Sequence, residues 1–343
     1  MPLAAPSFHH LLALSDDTGI FEHARHDVPR REHGYCVDDV SRGLIVIVRE
    51  PDASAELDAL GETSLRFLEG ALGPDGSSRN RMDAAGSWTD EPALGDWWGR
   101  SVWALGTAAA GAGDPLPRKR ALRAFHLAAA QRSPHLRSMT FAALGAGEVL
   151  LRFPDDELAH LLLRDAVDAI FAASSEAPWP WPEPRLTYAN AAIPEALILA
   201  GMALGAPEVT LRGLALLEFL FELQSDPGHL SVPGSDGRDP GDQGPQFDQQ
   251  PIEIAALADA CARAYAATGN AYWLDGVRLA WEWFEGRNDS DTVMFDALTG
   301  AGYDGLERMG RNANRGAEST LAVLSTHQQA RRLGVLDLAM VAG

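Results

Sequence analysis

Cysteine is nearly missing from the 343 residues: Cys36 and Cys261 are the two that occur, and both have apolar neighbours. Such a pair excludes a disulfide framework, and no CxxC spacing exists to hold a metal. Each reads as a small buried hydrophobe. Positive charge is also scarce: 28 Lys and Arg stand against 48 Asp and Glu, a formal net charge of −20. A surface that acidic repels phosphate backbones and anionic lipid, which argues against nucleic-acid and membrane partners. It also disfavours a long anionic polymer as substrate, unless basic residues are concentrated locally. The stretch from Met1 to Leu14 lacks a basic start and a long apolar run. Neither a signal peptide nor a transmembrane segment is therefore expected, and a cytoplasmic location is the default. Strand-like runs are scarce too; residues 44–48 form one, but their neighbours favour a buried helix. No GxSxG elbow, P-loop or dinucleotide fingerprint is convincing. His23 and His26 flank a short gap without zinc spacing, and no metal or cofactor is expected.

Helical periodicity is what the chain has in abundance. Residues 40–48, 56–72, 102–110, 118–131, 141–153, 155–173, 191–204, 208–223, 252–267, 271–285 and 317–333 all read as helices. They recur in units of about 40 to 70 residues, the spacing of stacked helix pairs. Each unit has a polar lead-in, a helix rich in Ala, Leu and Gly, and a more charged second helix. Six lead-ins stand out: Gly34 to Asp39, Trp88 to Arg100, Ser133 to His135, Trp179 to Asn190, Phe247 to Glu253 and Asn312 to Glu318. A helix apolar all round is a buried one, whereas an amphipathic helix lies outside it. The pattern predicts an all-α fold, an (α/α)6 toroid of six inner and six outer helices, as a single domain over 1–343 with about 1–33 packed on it.

The inner N-termini of such a ring gather at one end. Their polar lead-ins then converge on one bowl, together with free N–H groups and helix dipoles. Acids, amides and aromatic rings there suit a small neutral sugar or oligosaccharide, with rings stacked on its C–H face. Capping competes for several of these residues. Asp38 and Asp39 cannot both occupy one cap. Asp96 reads as a cap with Arg100 as its local partner, but capping cannot explain both Asp90 and Glu91. Asn190 suits a cap, whereas Glu183 and Tyr188 have no capping role. Pro251 fits the first helical position and Glu253 the third, beside Gln249 and Gln250. Asn314 suits the last cap, with Glu318 in the first turn and Asn312 and Asp304 upstream.

These lead-ins resemble those of the (α/α)6 toroid sugar enzymes, which include glycoside hydrolases and the acylglucosamine 2-epimerase class. Glu22-His23-Ala24, His33 to Asp39, Trp98-Gly99-Arg100, Thr187 to Ala191, Asp248 to Glu253 and Asn314 to Thr320 are similar to a bacterial family whose members are often labelled glycosyltransferase. Some relatives in that family carry a separate glycosyltransferase domain in front. This chain has no room for one, so the label is not carried over. The epimerase class relies on histidine bases, and the fourth, fifth and sixth lead-ins here have no histidine.

The expected function is glycoside hydrolysis by an acid and a base carboxylate. The candidates are Asp38, Asp39, Asp90, Glu91, Glu183, Glu253 and Glu318, with Glu183 or Glu253 as acid and Asp39 or Glu91 as base. Trp88, Trp97, Arg100, Trp181, Tyr188, Asn190, Gln249, Gln250, Asp304, Asn312 and Asn314 would hold the sugar. The alternatives are a sugar epimerase using His33, His135 or His229, and a non-catalytic glycan-binding module.

Overall fold

The computed structural model describes residues 7–173, 179–225 and 228–335. It is built from α-helices: α1 (His9–Ala13), α2 (Val37–Val48), α3 (Ala55–Ala71), α4 (Asp96–Gly111), α5 (Pro115–Ala129), α6 (Leu136–Arg152), α7 (Glu157–Ala173), α8 (Ala192–Leu204), α9 (Pro207–Ser225), α10 (Pro251–Thr268), α11 (Tyr272–Phe284) and α12 (Ala317–Arg332). Three two-stranded antiparallel pieces sit in the connections: β1 (Ala24–Arg25) with β2 (Val28–Pro29), β3 (Tyr35–Cys36) with β4 (Arg81–Met82), and β5 (Leu306–Glu307) with β6 (Gly310–Arg311).

The even-numbered helices form a closed inner ring. α2 packs on α4, α4 on α6, α6 on α8, α8 on α10, α10 on α12, and α12 returns to α2. The odd-numbered helices α3 to α11 each pack outside the inner helix before them. The short α1 touches α12 and α3, where a sixth outer helix would stand.

Burial follows the sequence pattern. α8 buries every residue from Ala192 to Gly201, whereas α3 buries one face. Outer helices carry conventional starts: Ser54 Oγ accepts from Leu57 N in α3, and Asp114 caps α5 with Pro115 at its first position. Inner helices approach closely where they are smallest. A Cβ on Gly106 of α4 would lie 2.3 Å from the carbonyl oxygen of Gly145 on α6, so only glycine fits there.

The segment before α2 is tied to the ring. His10 Nε2 lies 2.9 Å from Arg315 O, and Phe21 stacks on Tyr35 with centroids 4.7 Å apart. His26 O accepts from Arg315 N, which places the β1–β2 hairpin over the start of α12. Among the described residues, no helix is long and apolar enough to cross a membrane.

Candidate functional site

Because each outer helix runs back against its inner partner, the inner helices start at one end and finish at the other. Contacts between lead-ins of different helices confirm a common mouth. Ser138 Oγ of α6 donates to Asp96 of α4 at 2.9 Å, and Asn190 before α8 donates to Glu253 of α10 at 2.8 Å.

The helix starts differ from the expected caps. Cys36 caps α2: its Sγ accepts from Asp39 N at 3.5 Å, so neither Asp38 nor Asp39 is the cap. Gly95 begins α4 and Gly316 begins α12, neither with a side-chain cap bond. Asp96 lies one residue inside its helix and accepts instead from Ser138 Oγ and the Tyr188 hydroxyl. Asn190 precedes the cap position of α8; its Oδ1 accepts from Thr187 N and from Arg137, both at 3.0 Å. Asn314 Oδ1 accepts from His26 N at 3.0 Å and so anchors the hairpin.

Two charge clusters stand at the mouth, joined where the Tyr188 hydroxyl donates to Asp96. In the first, Arg42 of α2 bridges Asp39 and Glu318, with Glu318 Oε2 at 2.7 Å. Arg100 of α4 meets Asp38 through Nε at 3.1 Å and lies 4.0 Å over the Phe141 ring. In the second, Arg137 of α6 donates to both oxygens of Glu183, to Tyr188 O and to Asn190. Its guanidinium also lies 4.6 Å over the Tyr188 ring.

Burial sets the protonation of these acids. It pushes Asp39 up to about 7, with Arg42 opposing. It raises Asp38 as well, against the pull of Arg100 and Arg42. It raises Glu253, whose Oε2 accepts from Asn190 while Oε1 is buried without a partner. Burial also drives the Cys36 thiol well above its ordinary value, so it is no nucleophile. The Tyr188 hydroxyl is raised by burial and by its bond to Asp96.

Below the mouth runs a narrow axial cavity of about 60 Å³. That admits a few waters rather than a sugar ring. Trp103, Phe141, Ile252 and Leu321 are among its walls, and Arg42, Arg100 and Glu318 stand at its upper end. Its floor carries charges that the sequence analysis did not single out. Arg49 pairs with Asp259 at 3.0 Å, Gln329 Nε2 donates to Asp259 at 2.6 Å, and Arg263 pairs with Glu148. Glu195, 2% exposed, has one ion partner among the described residues, Arg263 at 3.7 Å, and is pushed up to about 8 by burial and the charge of Asp259. A signal was present: Glu195 is the lone charge in the apolar run 191–204.

Other expected site residues serve the framework. Trp88 packs on Phe67 with centroids 5.0 Å apart, and Trp97 Nε1 donates to Ser78 O at 2.7 Å. Asp90 accepts from the N–H groups of Asn80 and Arg81 at 2.7 and 2.9 Å, stapling its own loop, while Glu91 is exposed there. Trp181 is in the core. Gln249 is fully buried and donates to Asp289 at 2.6 Å, whereas Gln250 is half-buried at the start of α10. Asp304 accepts from Gly316 N at 2.6 Å, and Asn312 from Asn314 N at 3.0 Å. Of the histidines, His33 and His23 approach Nδ1 to Nδ1 at 3.2 Å, His229 pairs with Asp289 at 2.8 Å, and His135 is exposed. Glu22, Cys36 and Asp39 bring possible metal-ligand atoms within 4.8 Å of one another. Arg81 already holds Glu22 and Arg42 holds Asp39, so guanidinium groups take the place a cation would need.

No protein-family model matches the chain, and no curated protein does. Solved structures do. A sugar epimerase from a ruminal bacterium superposes with a TM-score of 0.71 at 12% identity, covering 94% of this chain and 95% of that one. The cellobiose 2-epimerase of Bacillus thermoamylovorans gives 0.70 at 11% identity, covering 95% and 96%. An α-mannanase of glycoside hydrolase family 76 from Bacteroides thetaiotaomicron gives 0.60 at 12% identity, covering 88% of each chain. The fold is an (α/α)6 toroid. The toroid neighbours are sugar-processing enzymes by name, and none of the three is called a glycosyltransferase.

Proposed function

We propose that this toroid is a sugar-processing enzyme that cleaves a glycosidic bond at the mouth of its inner helices, with Asp38 as the acid and Glu318 as the base. One observation carries this reading. Asp38 of α2, Asp96 of α4 and Glu318 of α12 come from different helices to surround the same two arginines, Arg42 and Arg100.

Glycoside cleavage needs one protonated and one ionised carboxyl group. Asp38 suits the first role, because burial raises it while 20% of its side chain stays accessible. Glu318 suits the second: it is held by Arg42 and is 37% exposed. Asp96 positions Tyr188, whose hydroxyl donates to it at the rim. The acids favoured from the sequence fit less well. Glu183 is held on both oxygens by Arg137, and Glu253 lies beneath Asn190. Glu91 belongs to the outlying loop.

The test is a screen of oligosaccharides and free sugars, read by mass and NMR, followed by Asp38→Asn and Glu318→Gln. Each variant is expected to lose about a hundredfold or more in turnover while keeping the wild-type far-UV spectrum. Full activity in both would remove the carboxylate pair from the mechanism.

A second reading is sugar epimerisation. It is favoured by the imidazoles of His23 and His33, 3.2 Å apart, next to Glu22, and by the two epimerases among the similar structures. Deuterium uptake from heavy water into a free sugar, lost in His33→Ala, would select it over hydrolysis. Saturable sugar binding without turnover would leave the binding module.

A further inference from the structure

Three arginines stand on inner helices at the mouth, and they are not equivalent. Arg137 has every terminal nitrogen on an acceptor: Glu183, Tyr188 O and Asn190. Arg42 uses one terminal nitrogen on Asp39 and the other on Glu318. Arg100 makes its ion pair through Nε, to Asp38. Its two terminal nitrogens have no acceptor among the described residues, although the side chain is 5% exposed and lines the axial cavity.

The Arg100 guanidinium is not sealed in: its terminal nitrogens, unlike Arg42 Nε, are not enclosed without a partner, so water reaches them. It is also firmly oriented. The Phe141 ring centroid lies 4.0 Å from it and Asp38 holds its Nε edge, so the remaining donors present an oriented fork. Arg42 is near enough to oppose its charge, which further rewards a negative group between the two. A fork with two parallel donors matches the paired oxygens of a carboxylate or phosphate better than a single hydroxyl.

We propose that the free edge of Arg100 receives an oxyanion carried by the sugar, a carboxylate or a phosphate, so that the substrate is an acidic sugar. This rests on the reading of the mouth as a sugar site. It replaces the neutral ligand expected from the overall charge of −20. The sequence left room for that exception if basic residues were concentrated locally, and the inner helices gather three arginines here. The nearby acids do not cancel the effect: Arg42 offsets Glu318 and Asp39, and burial moves Asp38 toward its neutral form. A substrate anion beside Asp38 would push its carboxyl further up, the direction an acid catalyst requires.

The test compares acidic and neutral sugars for binding, by ligand-observed NMR titration of the full chain. The probes are D-glucuronate and D-galacturonate, D-glucose 6-phosphate and D-galactose 6-phosphate, and D-glucose and D-galactose. At least one acidic sugar is expected to bind about tenfold to a hundredfold more tightly than its neutral partner, and added salt should weaken that binding selectively. Preference for uronates assigns a carboxylate; preference for the phosphates assigns a phosphate. Arg100→Gln should abolish the preference, and Arg100→Lys, which keeps the charge without the fork, should restore part of it. Should neither variant fold, the wild-type comparison and its salt dependence decide. Neutral sugars binding as tightly as acidic ones would overturn the proposal and leave the sugar site intact, as would a folded Arg100→Gln that kept the preference. Binding of none of the six probes would bring down the sugar reading itself and this inference with it.

Discussion

Glu195 gives the sharpest physical test of the toroid's interior. Its carboxyl is 2% exposed, has no hydrogen bond among the described residues, and meets Arg263 at 3.7 Å. Burial, and then the charge of Asp259, push it up to about 8 from an ordinary 4.5. The folded chain therefore keeps a proton there that the unfolded chain releases. The contribution of Glu195 to folding stability falls as pH rises from 4.5, and its loss is complete above about 8. Each pH unit in that window costs about 1.4 kcal/mol, so the penalty near pH 7 is roughly 3 kcal/mol. Glu195→Gln keeps the volume and removes the titration. Its stability should match the wild type within about 1 kcal/mol at pH 5 and exceed it by roughly 3 kcal/mol at pH 7. The assay is denaturant unfolding of both proteins at pH 5, 7 and 8.5, reading the difference between them so that other titrating groups cancel. A difference that stays flat with pH, or a glutamine variant weaker at pH 8.5 than at pH 5, would refute the reasoning and make Glu195 an ionised partner of Arg263.

Gly106→Ala should destabilise by about 1 to 3 kcal/mol, read as a lower denaturation midpoint, because the added Cβ meets the Gly145 carbonyl at 2.3 Å; an unchanged midpoint would mean that α4 and α6 can part freely. Asp90→Ala removes the acceptor of two backbone N–H groups. It should cost about 1 to 2 kcal/mol and speed proteolysis between α3 and α4, with sugar binding unchanged; loss of binding would place Asp90 in the mouth after all.

The ring was legible in the sequence because its cause is periodic. Residues 191–204 are apolar on every side, and such a helix has nowhere to go but inside. The rim was legible as a set of lead-ins but not as a set of roles. Asp90 and Asp304 resemble ligand-binding acids in a linear reading, yet both accept backbone N–H groups that their loops would otherwise leave unmet. Trp88 turned away for a similar reason: Phe67 offers an apolar surface on the outer layer, and a free sugar-binding face would leave that surface bare. The lumen charges Arg49, Glu148, Asp259 and Arg263 were hidden because each lies within or at the far end of an inner helix, away from the lead-ins. Their pairing crosses helices far apart in sequence, which local spacing does not encode.

The caps explain why the mouth has acids to offer. An aspartate at a helix start ordinarily satisfies backbone N–H groups, and its charge is then committed. In α2 that duty falls to a thiol, Cys36, and in α4 and α12 the cap positions are Gly95 and Gly316. The carboxylates sit one or two residues further in, at Asp38, Asp96 and Glu318. There the first-turn dipole still favours negative charge, while the side chains project away from the cap and toward the neighbouring helix. Three helix starts thus hold three acids free of capping duty around two arginines at the mouth. The ring's own packing supplies the stability that the missing cap bonds would have given, since each of these helices is buried along most of its length. At Gly95 the missing cap also has a steric cause, because the Trp97 ring fills the space a side chain would take. Gly95→Asp would offer the N–H groups of α4 a carboxylate, but its Cβ would lie 2.3 Å from the Trp97 ring, which Ser78 O holds in place, so the variant should lose about 1 to 3 kcal/mol instead of gaining a cap. A higher denaturation midpoint in Gly95→Asp would show that the Trp97 ring gives way freely and that the cap position is open after all.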